Sequence, residues 1–598
     1  MYKKILKITE YKDKLKILFF VIGSIVATFL ELLSLSSIPI FLMSILNFDQ
    51  NTSTYLSFLP FDFNNINQET LVIYFSLALC GIFLIKNIYL SILVYFQGVI
   101  FKTFQINFGS KMFQLYIKAN YDLHINKNPS IILRSITSDA SQSASIVLNY
   151  INLCKESLVL FGIFVMLLVI DYSLTLIVFS FLSMIVTIFF LLVKKKIFIR
   201  SKQIQFFTSL QIKTINQTLA AIKEIKLLNK ENFFRKIFFY NIEKMESNRV
   251  INYFLTNLPR YFLETISIFT ITLVALAFIL TGKSFENFIP MLSLLAVSAI
   301  RLIPSFNTIS TSLASIKSLS PSLNFISDEL EKIEIDQKFK HKNIANIEIS
   351  NGRLIKFKNV SFNYKGSDNL ILNNLNTSIE IGKITGILGS SGAGKTTFID
   401  IFLGLLKPSK GELHLKNINI NEKINSWQSQ IGYVPQEINL IDDTIVKNIA
   451  LGEEENSIDF EHLNSICKIV GIDQTILNFE KKDTRVVGNR GAKLSGGQIQ
   501  RIGIARAIYS KPKILILDEA LNSLDKRSEN EILDNLKSLN YVQTIILISH
   551  NLELFKRCDN LILIDSGKIV FEGSYDLIQN DQNYNKLVRE IKRKETVV

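Results

Sequence analysis

Six long apolar stretches constrain this chain more than any other feature. Together they fill most of the first half, and the whole chain has a mean hydropathy of +0.28. About 20 helical residues, each rising about 1.5 Å, cross a hydrocarbon core of about 30 Å. The sequence therefore predicts six membrane-spanning helices, at Ile17–Leu46, Leu71–Ile100, Ile146–Ile170, Tyr172–Val193, Ile251–Leu280 and Phe288–Leu313.

The first apolar stretch is not typical of a signal peptide. A signal peptide has a much shorter apolar core, followed by a cleavage site of small residues. Ile17–Leu46 spans 30 residues, so as a helix it exceeds the hydrocarbon thickness. We expect this helix to remain in the protein and to project from the bilayer.

Charge between the spans predicts their orientation. Asn47–Thr70 contains no Lys or Arg, whereas Lys194–Arg249 is rich in both and Lys102–Ser145 carries several. Because cytoplasmic loops carry the excess of positive charge, the N-terminus and both long polar segments are predicted to be cytoplasmic. The net charge of +14 lies beside apolar runs, which suits an anionic membrane surface and not nucleic acid. We expect a multi-pass protein of a bacterial inner membrane.

The two cytoplasmic segments are predicted to extend the spans as helices. Each would reverse through a short lateral helix, at Asn128–Ser138 and Lys223–Glu231, with solvated charged loops as the alternative. On the external side, the aromatic residues around Pro60 could form an amphipathic element in the membrane interface. A plain surface loop fits that segment equally well.

The composition changes after the last span. Residues 1–328 form the membrane domain, 329–350 form a polar, charged linker, and 351–598 alternate short apolar strands with helices. The strands are predicted at Leu354–Phe357, Ile384–Leu388, Ile431–Val434, Ile514–Leu517 and Thr544–Ser549. This pattern is typical of an α/β domain with a largely parallel sheet. The fold class is thus an all-α six-helix transmembrane domain fused to an α/β phosphate-loop domain.

A glycine-rich turn marks a phosphate site in the second domain. It reads GSSGAGKTT and consists of Gly389, Ser390, Ser391, Gly392, Ala393, Gly394, Lys395, Thr396 and Thr397. The turn lies between the strand Ile384–Leu388 and the predicted helix Phe398–Leu406, which is the context that the GxxxxGK[ST] pattern requires. Its N–H groups and the helix dipole would bind phosphates. A glycine-rich turn without function is the alternative.

Two adjacent acids follow another predicted strand. Asp518 and Glu519 end the run that begins at Ile514. Beside a phosphate loop, the first carboxylate can hold Mg²⁺ and the second can polarise an attacking water molecule. An ordinary solvated strand end is the alternative without such a loop.

Three further motifs complete a family pattern. Leu494–Gln498 reads LSGGQ before a predicted helix, Gln436 follows one predicted strand, and His550 ends another. The order of phosphate loop, glutamine, LSGGQ, strand-Asp-Glu and histidine resembles an ATP-binding cassette domain over roughly 351–598. With six preceding spans, the whole chain resembles an exporter-type half-transporter of that family.

The resemblance implies a role for each matching residue. Tyr364 matches the aromatic that stacks on adenine, and Gln436 matches the group that senses Mg²⁺ and the attacking water. Asp518 matches the metal-associated aspartate, which would act with Thr396, and Glu519 and His550 match the general base and the γ-phosphate contact. ATP and Mg²⁺ are the implied cofactors.

The LSGGQ motif implies a dimer. In the family, Ser495, Gly496, Gly497 and Gln498 would close over ATP bound to the opposite subunit. The partner would be a second copy of this chain or a related half-transporter. Some positions depart from the family pattern, among them ALNSLD after Glu519, Asn489, and Asn551 after His550.

Charged residues within the apolar stretches suggest where cargo binds. A charge at the bilayer centre costs about 2.5–3.5 kcal/mol on insertion scales, so each needs an explanation. Lys86, Arg260 and Arg301 are the cationic candidates, and Glu31, Glu156 and Glu264 are acidic. The cations could line a cavity for an anionic, pyrophosphate-bearing cargo. Alternatively they pair internally, as Arg260 could with Glu264, or extend to the membrane interface.

A narrower resemblance favours one cargo. NLPRYFLE at Asn257–Glu264 and SAIRLIPS at Ser298–Ser305 are similar to lipid-linked oligosaccharide flippases, in which the matching cations engage a pyrophosphate. Lys86 departs from the arginine of that pattern. The leading hypothesis is an ATPase that moves a lipid-linked anionic glycan through the membrane. Export of a peptide, drug or glycolipid is the alternative, and an ATP-gated channel or sensor is a third.

Overall fold

The computed structural model consists of two units, which we describe separately. It describes residues 11–46, 68–170, 172–280, 285–338, 347, 349–367, 369–472, 487–488, 491–582 and 584–585. The first unit comprises 1–119 and 127–338, and the second comprises 120–126 and 339–598.

Six long helices dominate the first unit, and each contains one of the predicted spans. The helices are α1 (Tyr11–Leu46), α2 (Gln68–Lys118), α5 (Ala140–Ile170), α6 (Tyr172–Ala220), α8 (Glu231–Leu280) and α9 (Phe285–Lys338), with the short α3 (Tyr121–Asn126), α4 (Pro129–Arg134) and α7 (Ile222–Leu227) between them. Three segments of the described residues are long and apolar enough to cross a membrane: Tyr11–Pro39, Val72–Lys118 and Pro129–Val169. The external segment falls outside the described residues up to position 67.

The first predicted lateral helix is wrong in position. Residues 128–138 belong to α4 and to the π-helical turn Ser135–Asp139 that continues it. The short helix that reverses the chain is α3, which groups with the second unit, where Asp122 pairs with Lys365 at 2.5 Å. Asn120 to Asn126 offered little apolar periodicity in the sequence, so this short helix was missed. The second lateral helix agrees with α7.

The predicted linker begins too early. Helix α9 continues through Glu329 to Lys338 because its apolar face persists beyond the last span. Leu330 and Ile333 are buried, and the Tyr116 hydroxyl donates a hydrogen bond to Glu329 at 3.1 Å. The polar composition that suggested a linker therefore belongs to the exposed face of a packed helix.

The second unit contains two β-sheets. An antiparallel sheet has the order β2 (Leu372–Glu380), β1 (Leu354–Phe362), β4 (Lys410–Leu415) and β5 (Ile418–Asn419). The second sheet has the order β10 (Lys568–Gly573), β9 (Asn560–Asp565), β3 (Ile384–Leu388), β8 (Thr544–Ile548), β7 (Ile514–Asp518) and β6 (Ile431–Val434). All its neighbouring strands pair in parallel except β10 with β9.

The helices of this unit are mostly short. They are α10 (Lys395–Phe402), α11 (Ile424–Gln428), α12 (Ile445–Ile449), α13 (Phe460–Val470), α14 (Gly496–Tyr509), α15 (Lys526–Lys537), α16 (Leu552–Phe555) and α17 (Tyr575–Ile578).

The six-stranded sheet is covered on both faces, which explains its continuous apolar strands. In β7, Ile514 and Ile516 enter one hydrophobic core, while Leu515 and Leu517 enter the core on the opposite face. Alternate residues of a strand point to opposite faces, so a sheet buried on both sides needs apolar residues at every position. The predicted α/β fold with a largely parallel sheet is confirmed.

The buried end of α9 leads to a stability prediction. Ile333→Ala should lower the local unfolding free energy by about 2–5 kcal/mol, because it leaves a cavity. Lys332→Ala, at the neighbouring exposed position, should change it by no more than about 0.5 kcal/mol. Hydrogen exchange of the amides in 323–333 measures both. Equal exchange in the two variants would show that this stretch is a loose linker.

Candidate functional site

The six-stranded sheet brings the predicted catalytic segments to one edge. The phosphate loop follows β3, His550 follows β8, Asp518 and Glu519 end β7, and Gln436 follows β6. These four strands are adjacent and parallel, in the order β3, β8, β7 and β6. Ligands of open α/β sheets bind at the carboxyl ends of the strands, and all four segments lie there.

The phosphate loop has the backbone that its glycines allow. Gly394 precedes α10 with a φ of 103°, and a side chain at that position would meet Leu372 at 2.8 Å. Gly389 has the Ile564 carbonyl oxygen 2.3 Å from where a Cβ would lie. The Lys395 ammonium donates to the carbonyl oxygens of Gly389 and Ser390, at 2.7 and 3.0 Å. The backbone carbonyls of the loop thus hold the side chain of its own lysine.

Two predicted catalytic side chains, Gln436 and His550, contact the third, Glu519. Gln436 Nε2 donates to the Glu519 carboxylate at 2.8 Å, and His550 Nε2 lies 2.9 Å from its other oxygen. Asn522 Nδ2 also donates to the carboxylate oxygen that Gln436 binds, at 3.2 Å. Glu519 has a φ of 52°, a left-handed conformation that is uncommon for a residue with a side chain. Such conformations are often found at functional sites.

A second pair of carboxylates lies beside this cluster. The Tyr433 hydroxyl donates to Asp518 at 3.1 Å. Burial, and then the negative charge of Asp518, raises the pKa of Asp400 to about 6. Burial also raises the pKa of Asp518. Asp518 and Asp400 therefore concentrate negative charge next to the phosphate loop.

This arrangement fits the predicted Mg²⁺. Thr396, Gln436 and Asp518 offer hydroxyl, amide and carboxylate oxygens, the ligand types that Mg²⁺ prefers. No group of three or more His, Cys, Asp or Glu suited to a metal occurs among the described residues. Mg²⁺ is commonly held by one or two protein oxygens together with substrate phosphates.

The predicted adenine-stacking residue packs near the phosphate loop. The hydroxyl group of Tyr364 lies 3.2 Å from that of Thr397, and its ring meets Phe362 edge to face, with 5.0 Å between centroids. In this position the half-buried ring of Tyr364 packs against the hydrophobic core beside the loop.

The LSGGQ motif opens α14 with a capping box. The Ser495 hydroxyl accepts the N–H of Gln498 at 3.3 Å, and the Gln498 side chain accepts the N–H of Ser495 at 2.9 Å. Gln500 Oε1 accepts the N–H of Ser523 at 2.9 Å, which fixes the helix against the ALNSLD segment. Ser495 and Gly496 are exposed, so the motif is accessible from outside the chain.

Sequence reasoning missed three members of the site. Tyr433, Asn522 and Asp400 were not singled out, although each lies within five residues of a motif. Tyr433 and Asp400 had a usable signal, a polar atom within an apolar strand or helix. Asn522 had none, because its hydrogen bond depends on the turn after Glu519.

The membrane cation Arg301 is held by two carboxylates. Its guanidinium forms two hydrogen bonds with Glu31, at 2.8 and 2.9 Å, and one with Glu156 at 3.2 Å. Ser305 joins the cluster at 3.0 Å from Arg301 and donates to Glu156 at 2.8 Å. Arg301 therefore pairs internally and its charge is neutralised.

The other two cations differ from Arg301. Lys86 donates to the Ser34 hydroxyl at 3.2 Å and lies 4.1 Å from the centroid of the Phe83 ring. Arg260 is exposed on α8 and forms no ion pair with Glu264, although both side chains are described. The pairing between those two residues is thus wrong, and the three cations do not form one cluster.

A family model described as ABC transporter matches residues 372–522. That range includes the phosphate loop, Gln436, LSGGQ, Asp518 and Glu519. The matched segment covers the core of the predicted cassette.

Curated relatives align with part of the chain. A Rickettsia prowazekii protein named as an export ATP-binding/permease protein, RP696, is 40% identical over 253 residues, which is 42% of this chain and 44% of that protein. The leukotoxin translocation ATP-binding protein LktB of Mannheimia glucosida is 39% identical over 228 residues, which is 38% of this chain and 32% of LktB. The aligned part thus spans less than half of either relative.

The fold of nearly the whole chain matches a solved exporter. A bacterial Atm1-family ABC exporter with ATP bound superposes with a TM-score of 0.79, covering 96% of this chain and 98% of that one. At 19% sequence identity, this match shows the fold. The chain has an ABC exporter fold: a helical domain with candidate membrane spans, followed by an α/β cassette.

The ion pairs of Arg301 with Glu31 and Glu156 predict that substitution of Arg301 lowers stability. Arg301→Gln should destabilise the helical unit by about 3 kcal/mol, because it leaves the buried Glu31 carboxylate without its cation, while Glu156 keeps Lys155 at 3.6 Å. Arg260→Gln should change stability by no more than about 0.5 kcal/mol, since Arg260 is exposed. Thermal unfolding of the detergent-purified variants compares them. Equal unfolding midpoints would contradict a stabilising role for the ion pairs of Arg301.

Proposed function

We propose that this chain is an ATP-hydrolysing exporter. The observation that carries the proposal is the convergence of Gln436 and His550 on Glu519, at the sheet edge that also carries the phosphate loop. A general base needs groups that orient both it and its water, and this constellation provides them.

Each side chain of the cluster would have a defined task. Glu519 would accept a proton from the attacking water, with its position fixed by the left-handed backbone and by Asn522. Gln436 and His550 would exchange their hydrogen bonds with Glu519 for bonds to the water and the terminal phosphate. Lys395 would exchange its two loop carbonyls for phosphate oxygens, which attract an ammonium more strongly.

Thr396 and Asp518 would hold Mg²⁺ at the phosphates, with Gln436 beside them. The ion supplies positive charge that offsets the charge developing on the transferred phosphoryl group. The Tyr433 hydroxyl would keep the Asp518 carboxylate oriented toward the Mg²⁺ ion.

We propose that the working unit is a dimer. Each chain has one cassette, and its LSGGQ motif presents exposed backbone N–H groups at the start of α14. The start of a helix with free N–H groups binds anions. A second copy, or a related half-transporter, would bring this motif to the phosphates held by Lys395, so that two chains enclose two ATP molecules.

Helix α3 would transmit cassette movement to the spans. It forms an ion pair with the cassette through Asp122 and Lys365, and burial raises the pKa of Tyr121, with smaller contributions from the charges of Asp400 and Tyr364. Asp400 lies on α10, just after the phosphate loop, and Tyr364 is the adenine-side aromatic. The cassette and the N-terminus would then be cytoplasmic, in agreement with the distribution of Lys and Arg.

The charged residues within the apolar helices refine the cargo proposal. A cavity for a pyrophosphate needs several uncommitted cations together. Arg301 is paired with Glu31 and Glu156, Lys86 is hydrogen-bonded to Ser34, and the exposed Arg260 forms no cluster with either of them. This internal pairing favours export of a peptide, drug or glycolipid over the polyprenyl-pyrophosphate oligosaccharide.

Glu519→Gln tests the hydrolysis proposal. The amide cannot accept a proton, so ATP should stay bound while turnover falls by at least about 100-fold. Retained ATP and released phosphate, measured on protein in proteoliposomes, give the two readouts. Glu553→Gln is the control, since this glutamate lies on the exposed start of α16 and should leave turnover unchanged.

Full transport by Glu519→Gln would instead support an ATP-gated channel or sensor, which needs binding and not turnover. Loss of turnover in both variants would mean that the substitution acts through general damage to the cassette.

ATPase stimulation tests the cargo. We expect a neutral glycolipid to stimulate the proteoliposome ATPase more than a polyprenyl-pyrophosphate oligosaccharide does, because Arg301 is already paired with Glu31 and Glu156. The same assay on Arg260→Ala and Arg301→Ala distinguishes a neutral cargo from a pyrophosphate-bearing one. Stimulation by the pyrophosphate compound that both substitutions abolish, with basal ATPase retained, would restore the anionic-cargo hypothesis.

A further inference from the structure

A patch of positive charge follows the predicted span of α6. Five basic residues lie within nine positions of the last residue of that span: Lys194, Lys195, Lys196, Arg200 and Lys202. No Asp or Glu occurs from residue 172 to residue 223. On α9, Lys317 also lies in a stretch without acidic residues, from 287 to 327. Neighbouring residues on the same helices therefore do not neutralise these charges.

Contacts between the two helices place Lys317 beside this patch. The Lys317 ammonium lies 4.6 Å from the centroid of the Phe198 ring, and the Lys202 ammonium lies 5.3 Å from the same centroid. The hydroxyl groups of Ser201 and Ser318, each next in sequence to one of these lysines, lie 2.9 Å apart. Two ammonium groups thus share one aromatic ring at the contact between α6 and α9.

Neither ammonium group has a carboxylate partner. Lys202 is exposed, Lys317 is partly exposed, and neither forms an ion pair with another described residue. On α8, which packs against both helices, Glu246 pairs with Arg249. The face of an aromatic ring attracts an ammonium group but carries no net negative charge. The two like charges therefore repel each other, and an anion bound between them would remove that repulsion.

The patch lies at the depth of lipid head groups. Val193, Ala314 and Leu255 pack together at the polar ends of three predicted spans. Phe198 follows Val193 by five residues and Lys317 follows Ala314 by three, or about 7.5 and 4.5 Å of helix. The head-group region extends about 5–7 Å beyond the hydrocarbon core on each side. The ring and the ammonium groups therefore lie where phospholipid phosphates lie.

An exposed leucine completes a surface that suits a lipid. Leu192 is 70% exposed and lies four residues before Lys196, so both are on one face of α6. An acyl chain can pack against this leucine within the predicted span while its phosphate meets the cations just beyond it. A soluble phosphate would use the cations alone. Basic clusters immediately beyond a span attract the anionic lipids of the cytoplasmic leaflet.

We propose that Lys202, Lys317 and the lysines at 194–196 bind the phosphate of an anionic phospholipid, whose acyl chain packs against Leu192. The inference goes beyond ATP-driven export, because it assigns a lipid partner to the contact between α6 and α9. The bound lipid would fix the depth of these two helices in the leaflet. The site does not involve the nucleotide, so its test is independent of ATP hydrolysis.

A tryptophan reporter at position 192 tests the proposal. Leu192→Trp places the reporter beside the patch, whereas Trp427, the one native tryptophan, is buried in the cassette out of reach of lipid chains. The full-length protein is reconstituted without ATP, with phosphatidylglycerol or phosphatidylcholine brominated on the acyl chains as quencher. Quenching should show at least about tenfold tighter association of phosphatidylglycerol, since each cation near the surface contributes about fivefold.

A second reporter is the control for position. Val169→Trp, at the other end of the predicted span of α5, replaces a residue that is 84% exposed and should show no preference between the two lipids. Equal association of both lipids at Leu192→Trp, or the same preference at both reporters, would overturn the proposal.

Removal of the two ring-bound charges tests the residues. In the Leu192→Trp protein, Lys202→Gln with Lys317→Gln should lower the preference for phosphatidylglycerol about tenfold. Lys213→Gln with Lys223→Gln removes the same charge from exposed positions farther along the chain and should leave the preference unchanged. Equal losses in the two double variants would mean that net charge alone acts, and would overturn the assignment of Lys202 and Lys317.

Two further comparisons keep the outcomes separate. An excess of glycerol phosphate should leave the lipid preference unchanged, and loss of the preference would show that a soluble phosphate compound occupies the site. If the variant lacking Lys202 and Lys317 does not fold, the two reporters on the otherwise unmodified protein still decide.

Discussion

The parallel pairing of β3, β8, β7 and β6 is the constraint on which the nucleotide site depends. Because neighbouring parallel strands end at the same edge, residues up to 161 positions apart in the chain, from Gly389 to His550, are held side by side. The strands are buried on both faces. Glu519 can then keep a left-handed backbone and still meet Gln436 and His550 at hydrogen-bonding distance.

Much of this arrangement was predictable because its signals are local. The six spans are long apolar runs, and the cassette motifs are short, with glycine, lysine or acidic residues at fixed spacing. The order of the strands then brings Gln436, Glu519 and His550 together, as the resemblance implied. The end of the membrane domain was not predicted, because at Leu330 and Ile333 a buried helical face is interrupted by charged residues that resemble a linker.

The membrane charges show what a single sequence leaves open. Glu31, Glu156 and Arg301 lie on three different helices, so nothing in their spacing revealed that they would form one ion-pair cluster. An arginine in a span can bind cargo or hold helices together, and only the packing of α1, α5 and α9 distinguishes these roles. Here Arg301 joins α1, α5 and α9 through its hydrogen bonds with Glu31 and Glu156.

In the proposed dimer a second chain completes the nucleotide site, and cross-linking tests this directly. One chain would carry Ser391→Cys in the phosphate loop and the other Ser495→Cys in LSGGQ, both at exposed positions. We predict a disulfide between the two chains whose yield rises with ATP in the Glu519→Gln background. Absence of an inter-chain bond, or a yield that ATP does not change, would contradict a nucleotide site shared between two chains.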